Sequence, residues 1–208
     1  MSRLAPIPVQ SASEGVAQQY ARIQEMFGED AIPEPFLVYG NVEPFLRDFY
    51  MNFKKFVYTD GALSAKTKSA IGLAVAAHGK CGPWLDFFSA RCQSLGFSTA
   101  QVAEILAVSA TNYMYNTFFK FRDLSGSTLF DGMGVGLRAH TFQSTSLGDK
   151  LVEILNIAIS NINACKPCTS GHVEKGKMMG LSPEQILETV QCAATMYAGV
   201  QFLNSTTA

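Results

Sequence analysis

The stretch LSAKTKSAIGLAVAAHGKCGPW, residues 63–84, recurs later in the chain as LGDKLVEILNIAISNINACKPC, residues 147–168. The match continues without a gap until residue 118 lies over residue 202. Most positions that are not identical keep their apolar or polar character. This self-similarity indicates an internal duplication in which each copy is one structural unit.

Each copy begins with an apolar helix that leads into a turn. The apolar runs predict helices over Lys66–Ala77 in the first copy and Lys150–Ile162 in the second. The pattern Cys-x-Pro follows each run and opens a second helix. We expect these second helices to stop at Gly96 and Gly180, because glycine readily adopts the left-handed conformation that follows a helix C-terminus.

A capping motif then opens a long third helix in each copy. Ser98–Gln101 and Ser182–Gln185 have the serine-to-glutamine spacing of a capping box. We expect the long helices to end near residues 118 and 202. No sustained alternation of apolar and polar residues indicates a strand. The sequence therefore predicts an all-α fold, an internally duplicated helical bundle.

The duplication also suggests how the chain is organised. We expect a single domain over residues 1–208, with an N-terminal arm and helices in 1–62, where one helix starts after Ser13 and closes at Gly28. The remaining segments are repeat one over 63–118, a Gly- and Ser-rich linker over 119–146, and repeat two with the candidate site over 147–204.

Composition limits the classes of function. Hydrophobic residues make up 48% of the chain and charged residues 16%, which favours extra buried surface and hence a homo-oligomer. The net charge is −1 with no basic stripe, so we expect no nucleic-acid partner. No apolar run is long enough for a membrane span, and the N-terminus lacks the apolar core of a signal peptide. Together with five cysteines, an odd number, this predicts a cytoplasmic, reducing location.

Two cysteines and a histidine lie together in NACKPCTSGH, residues 163–172. If a helix starts near Cys165, then Cys165, Cys168 and His172 share one face. The helix N-terminus favours a thiolate, and His172 is four residues from Cys168, within reach to take its proton. A Cys-x-x-Cys pair can also close a disulfide, so that one thiol attacks and the other resolves the product.

Glu153 lies in the apolar helix that precedes these cysteines. A carboxylate among Leu151, Val152 and Ile154 is unfavourable in a core unless it is hydrogen-bonded. In one interpretation it lies across the turn from His172 and orients the imidazole. In the other it occupies the solvated face of the helix, and periodicity leaves both open.

The first copy keeps the cysteine turn but lacks the polar set. Cys81 matches Cys165. At the other positions Ser69 stands for Glu153, Trp84 for Cys168 and Phe88 for His172. The joint absence of all three suggests that the set works as a unit, and that KCGPW, residues 80–84, is structural.

Three interpretations of the cysteine pair remain: a redox dithiol, which we favour, an inert reduced pair in the core, and a zinc site. Zinc would need a further ligand such as Cys192, and the spacing is not that of a zinc knuckle. A c-type haem is excluded because its histidine directly follows the second cysteine. No Gly-rich phosphate loop follows a strand, so we expect no cofactor and no metal.

The spacing of Glu153, Cys165, Cys168 and His172, followed by GLSPE and an Ala-rich helix, resembles the alkylhydroperoxidase D (AhpD)-like family of the carboxymuconolactone decarboxylase-like superfamily. The likeness covers roughly residues 35–204. It implies an AhpD-type duplicated helical bundle assembled as a homo-oligomer, a trimer or hexamer. The implied activity is that of an alkylhydroperoxidase, the thiol-dependent reduction of hydroperoxides.

The resemblance also implies a role for each residue. Cys168 would be the peroxidatic thiol that becomes a sulfenic acid, and Cys165 would resolve it to a Cys165–Cys168 disulfide. His172 and Glu153 would relay the proton through a water. A dithiol or lipoyl-bearing protein would re-reduce the disulfide, and a peroxiredoxin could receive the electrons.

The chain departs from the family pattern between the cysteines. Lys166-Pro167 stands where family members of the best-known type often carry a histidine. The lysine favours a lower pKa for a neighbouring thiol, and the proline stiffens the turn. The alternative to a peroxidase is a non-peroxidase helical oligomer of the superfamily, either lyase-like or a zinc-stabilised scaffold.

Overall fold

A computed structural model describes residues 4–28 and 32–206 of the chain. These residues form α-helices, short 3₁₀ turns and one π-helical turn, with no strand among them, which confirms the all-α prediction. The helices are α1 (Glu14–Phe27), α2 (Glu34–Tyr39), α3 (Glu43–Phe53), α4 (Ala65–His78), α5 (Gly82–Ser94), α6 (Thr99–Ser125), α7 (Asp149–Ile162), α8 (Lys166–Met178) and α9 (Pro183–Thr206). Within this described part, no helix combines the length and the apolar character that a membrane crossing needs.

The core is a parallel bundle of α4, α6, α7 and α9. Lys68 near the start of α4 bonds Glu188 near the start of α9, and the carbonyl of Gly79 beyond α4 accepts from Asn204 near the end of α9. The contacts between α4 and α6, and those between α6 and α7, pair later residues of one helix with later residues of the other. These helices therefore also run parallel. Because α4 and α7 both point the same way, the two cysteine turns lie at the same end of the bundle.

The two cysteine turns have the same backbone. Lys80 and Ala164, the residues before each cysteine, both have a left-handed conformation, with φ of 53° and 51°. The amide of Cys81 donates to the carbonyl of Ala76 at 3.0 Å, and the amide of Cys165 makes the matching bond to Ser160 at 3.1 Å. The duplication therefore extends to backbone hydrogen bonds, although the side chains differ.

The predicted helix caps are confirmed. Ser98–Gln101 and Ser182–Gln185 both form reciprocal capping boxes, and Ser13 caps α1, which closes at Gly28 with φ of 68°. The second helices stop before Gly96 and Gly180, whose φ values of 85° and 79° are left-handed, as expected.

The predicted ends of the long helices are wrong. Helix α6 continues past residue 118 to Ser125, so the first part of the expected linker is helical. No glycine or proline interrupts the chain before Gly126, which ends α6 with a φ of 57°. Helix α9 likewise continues past residue 202 to Thr206. The rest of the linker carries only the short 3₁₀ turns Thr128–Phe130 and His140–Phe142.

The N-terminal helices cover the first copy with aromatic side chains. The cluster between α2, α3 and α5 contains Phe36, Tyr39, Phe49, Phe53, Trp84 and Phe88. The indole of Trp84 donates to the hydroxyl of Tyr39 at 2.8 Å, which in turn donates to the carbonyl of Gly199. Helix α8 of the second copy carries only two buried residues, Cys168 and Gly176, so its outer face is open.

Candidate redox site

The cysteine pair lies where α7 turns into α8. Cys165 is the N-cap residue of α8, and Cys168 lies in the first turn of that helix. The two are joined by a disulfide, with Cα atoms 5.3 Å apart. Cys165 is fully buried, whereas 8% of Cys168 is exposed. Cys168 is therefore the more accessible of the two residues, although both are buried.

Glu153 lies inside the protein, opposite His172. Its side chain is completely buried, and its Oε1 atom is 2.6 Å from Nδ1 of His172. Of the two positions that periodicity left open, Glu153 thus occupies the buried one. The contact crosses from α7 to α8, so the carboxylate fixes the orientation of the imidazole on the helix that carries Cys168.

Lys175 completes this group and was not among the residues predicted from the sequence. Its Nζ atom is 2.8 Å from Oε2 of Glu153, and its side chain is half-exposed. Oε1 therefore contacts the imidazole, and Oε2 forms an ion pair with the ammonium group that lacks the geometry of a hydrogen bond. The signal in the sequence was the spacing, since Lys175 is one helical turn after His172 and lies on the same face of α8.

The contacts of Glu153 with His172 and Lys175 keep its side chain ionised. Burial opposes ionisation, but the close contacts and positive charges of His172 and Lys175 outweigh it and lower the pKa of the carboxyl below its ordinary value. Glu153 is consequently a carboxylate at neutral pH. A fixed negative charge at Nδ1 leaves the other ring nitrogen, Nε2, as the imidazole atom available to exchange a proton.

A ladder of buried polar side chains runs along α7 from this group to the cysteine turn. Its hydrogen bonds join Asn112 to Asn156, Ser160 to Asn112, Asn116 to Ser160, and Asn163 to Asn116, at 2.9–3.2 Å. The Nδ2 atom of Asn156 is buried and has no hydrogen-bond partner among the described residues. This ladder was also missed, although polar residues at helical spacing in an otherwise apolar helix were its signal.

The three remaining thiols are poorly suited to redox chemistry or metal binding. Cys81, Cys92 and Cys192 are free and buried, and burial raises the pKa of each thiol, that of Cys92 to about 12. Cys192 lies against the carbonyl of Lys68 near the start of α4, at the opposite end of the bundle from the pair. It is therefore not placed to act as a further zinc ligand with Cys165 and Cys168. Residues 4–28 and 32–206 bring together no cluster of three or more side chains suited to a metal ion.

In the first copy, the positions of Cys168 and His172 carry the buried aromatic side chains of Trp84 and Phe88. Phe88 is fully buried against Gly72, where a Cβ atom would lie 2.5 Å from the phenyl ring. Ser69 and Arg91 occupy the positions of Glu153 and Lys175, and Nε of Arg91 donates to Oγ of Ser69 at 3.1 Å. The first copy thus keeps a cation in contact with this position but has no carboxylate and no imidazole.

Comparison with known proteins gives consistent matches. A family model described as the carboxymuconolactone decarboxylase family matches residues 44–116 and 133–207, one segment for each copy. A protein named alkyl hydroperoxide reductase AhpD from Anaeromyxobacter sp. (strain K) is 25% identical over 169 residues, covering 81% of this chain and 84% of the relative. One of the same name from Koribacter versatilis (strain Ellin345) is 26% identical over 157 residues, covering 75% and 80%. A protein named uncharacterized protein 4 in cox locus, from Paracoccus denitrificans, is 26% identical over 81 residues, covering 39% and 72%.

Proposed function

The chain belongs to the carboxymuconolactone decarboxylase family, and from this premise we propose that it is an oxidoreductase that reduces alkyl hydroperoxides with the thiols of Cys165 and Cys168. The observation that carries the proposal is the disulfide-linked pair at the start of α8, the helix whose His172 contacts the buried Glu153. The AhpD name of the relatives supports the same substrate class.

In the proposed first step the reduced Cys168 attacks the hydroperoxide. Its thiolate sulfur bonds the terminal peroxide oxygen, the O–O bond breaks, and the alcohol leaves after taking up one proton. Cys168 is thereby oxidised to a sulfenic acid. Its greater accessibility than Cys165 and its position in the first turn of α8 support this role, because a peroxide must reach the sulfur and the helix N-terminus favours a thiolate.

His172 is proposed to carry the proton between the thiol and the leaving alkoxide. The imidazole lies four residues after Cys168 on α8 and takes the thiol proton as a general base. Glu153 stabilises the resulting imidazolium because its buried carboxylate remains ionised. Lys175 acts as a positioning residue, since it occupies the second carboxylate oxygen and leaves the first for His172.

The proposed cycle closes through the second cysteine. The Cys165 thiol attacks the sulfenic sulfur of Cys168, water leaves, and the disulfide forms. An external dithiol then reduces this disulfide by thiol–disulfide exchange and is itself oxidised. The net reaction consumes one hydroperoxide and one dithiol and yields an alcohol, water and an oxidised dithiol.

The reductant must approach from the side of α8. This helix presents an open outer face next to the disulfide, whereas Trp84, at the matching position of α5, is buried under Phe36 of the N-terminal helices. We propose that a dithiol or lipoyl-bearing protein docks there, that the chain works as a homo-oligomer, and that it functions in the cytoplasm, where a reducing supply of thiols sustains the cycle.

Turnover of the Cys168→Ser variant tests the proposal. With an alkyl hydroperoxide and a small dithiol as substrates, we expect the variant to lose at least about a thousandfold in rate, because no other group replaces the nucleophile. Cys81→Ser is the matched control, since Cys81 holds the equivalent of Cys165 in the first copy, and it should keep nearly full activity. Undiminished turnover by Cys168→Ser would overturn the proposal and favour the non-peroxidase alternative.

A further inference from the structure

A pocket of about 450 Å³ lies at the cysteine-turn end of the bundle but on the side of the first copy. It opens between the end of α4, the middle of α6 and Asn163 of the turn that carries Cys165. Its volume falls within the range of sites for small molecules. None of the candidate redox residues lines it.

The lining of this pocket is basic. Three basic side chains, those of His78, Lys80 and Lys120, contribute to it, and the described residues that line it include no carboxylate. Burial, reinforced by the positive charge of Lys120, lowers the pKa of His78, so the imidazole is neutral near pH 7 and the two lysines carry the charge. The chain as a whole has a net charge of −1, so this positive charge is local.

These basic residues are peculiar to the first copy. In the second copy Ile162 stands for His78, Ala164 for Lys80 and Asn204 for Lys120. The second copy carries the thiols, and the first carries the cations at the same end of the fold. A requirement of the shared backbone would apply to both copies, so it does not account for the lysines.

The rest of the wall is apolar. Leu106, Ala110 and the half-exposed ring of Tyr113 lie beside the basic groups, and the Tyr113 and His78 rings are 5.4 Å apart. Such a wall favours an aliphatic or aromatic body over a fully hydrated ion. The C-terminal ends of α4 and α7 also face this region, and their partial negative charge disfavours a multiply charged anion.

We propose that this pocket binds a small monocarboxylate with an apolar body. The carboxylate is held by Lys80 and Lys120, the neutral imidazole of His78 donates one further hydrogen bond, and the body lies on Leu106 and Tyr113. The ligand then sits against Asn163, two residues before Cys165. The site does not depend on the proposed thiol chemistry.

Calorimetric titration of the full chain with octanoate tests the proposal, and octanol serves as the uncharged probe of the same length. We expect saturable binding of octanoate, with octanol at least about tenfold weaker, because charge-assisted hydrogen bonds contribute most of the difference. The same titration on Cys168→Ser should give the same affinity for octanoate. Binding at this pocket can therefore be tested whether or not the chain proves to be a peroxidase.

Substitutions of the lysines locate the bound carboxylate. Lys120→Gln and Lys80→Asn should each weaken octanoate binding about fivefold to tenfold, and asparagine is chosen at position 80 because it tolerates the left-handed backbone there. Lys120→Arg should restore binding. Lys54→Gln removes an exposed charge remote from the pocket and should change affinity less than about twofold. Absence of binding, equal affinity for octanol, or unchanged affinity in both pocket variants would overturn the proposal.

Discussion

The two cysteine turns of this protein share a backbone and differ in what surrounds it. In the first copy, Trp84 and Phe88 fill the space with aromatic rings that the N-terminal helices cover. In the second, Cys168 and His172 occupy the same positions, and the helix that carries them is open to solvent. The duplicated unit therefore places the same turn in two surroundings, a buried aromatic cluster in one copy and a cysteine pair with polar side chains on an open helix in the other.

The difference also shows how a buried carboxylate is accommodated. A cation follows one turn after the histidine position in both copies, as Arg91 in the first and Lys175 in the second. Arg91 contacts a serine and the ring of Tyr58, whereas Lys175 contacts Glu153. The charge of Glu153 thus depends on a cation position that the fold already supplies and on the added imidazole.

The largest effect on stability is expected in the first copy. Trp84→Ala should lower the free energy of unfolding by about 3–5 kcal/mol, because it leaves a cavity in the aromatic cluster and removes the hydrogen bond to Tyr39. The matched Cys168→Ala should cost about 1 kcal/mol or less in reducing buffer, because Cys168 lies at the edge of the core. Denaturant unfolding of both variants measures the contrast. Equal losses would show that the second turn is also mainly structural.

Replacing Glu153 should separate chemistry from packing. Glu153→Gln keeps the volume but leaves Lys175 and His172 without a counter-charge, so we expect about 1–3 kcal/mol of destabilisation and at least about a tenfold loss of hydroperoxide turnover. Ser69→Ala, at the equivalent position of the first copy, should leave turnover nearly unchanged. Steady-state rates of the two variants decide this, and equal effects would remove the case for a role in proton transfer.

The contacts of Glu153 with His172 and Lys175 also predict that the stability of the fold depends on pH. The pKa of Glu153 is lower in the folded protein than in the unfolded chain, so its ionisation stabilises the fold. This contribution is fully present above the ordinary carboxyl pKa of about 4.3 and is lost as the pH falls through the folded-state value. The difference in unfolding free energy between wild type and Glu153→Gln should therefore shrink below about pH 4. A constant difference down to pH 3 would contradict the assigned charge.

A smaller effect is expected at Lys175, because half-exposed ion pairs are screened by solvent. Lys175→Met should destabilise the protein by less than about 1 kcal/mol, but it should raise the pKa of Glu153 and move the acid limb of the turnover profile to higher pH. Lys175→Arg should restore the profile. Arg91→Met, the matched change in the first copy, should leave the acid limb in place. If both methionine variants move it equally, the effect is structural.

The smallest effect tests the shared backbone. Ala164→Gly and Lys80→Gly each relieve a left-handed conformation that disfavours a side chain, and glycine's greater freedom in the unfolded state offsets part of the gain. Both should stabilise the fold by about 0.5 kcal/mol, and by similar amounts. Thermal unfolding at matched conditions measures this, and a gain confined to one copy would show that the turns are strained differently.

Much of the fold followed from local features of the sequence. The duplication, the capping boxes and the glycines that end α5 and α8 depend on neighbouring residues and are confirmed. The ends of α6 and α9 were placed too early, because the last turns lack any local stop signal before Gly126 and the C-terminus. The aromatic cover of the first copy was not predicted, since it depends on contacts between helices distant in sequence.

The candidate site was likewise predicted from the sequence only in part. Glu153, Cys165, Cys168 and His172 were identified from spacing, the missing set in the first copy and a family resemblance, and their catalytic roles remain predictions. Lys175 and the asparagine ladder were missed, because a lysine on an open helix and isolated polar residues in an apolar helix are ordinary features of a sequence. Their importance depends on α6, α7 and α8 being neighbours.

The most direct test of the redox assignment is the thiol inventory after one equivalent of an alkyl hydroperoxide is added to the reduced protein. Free thiols are alkylated and the peptides are identified by mass spectrometry. We predict that Cys165 and Cys168 become linked to each other while Cys81, Cys92 and Cys192, buried and with raised pKa values, are recovered as alkylated thiols after unfolding. Consumption of the hydroperoxide with Cys165 and Cys168 both still alkylated would contradict a redox dithiol at this turn.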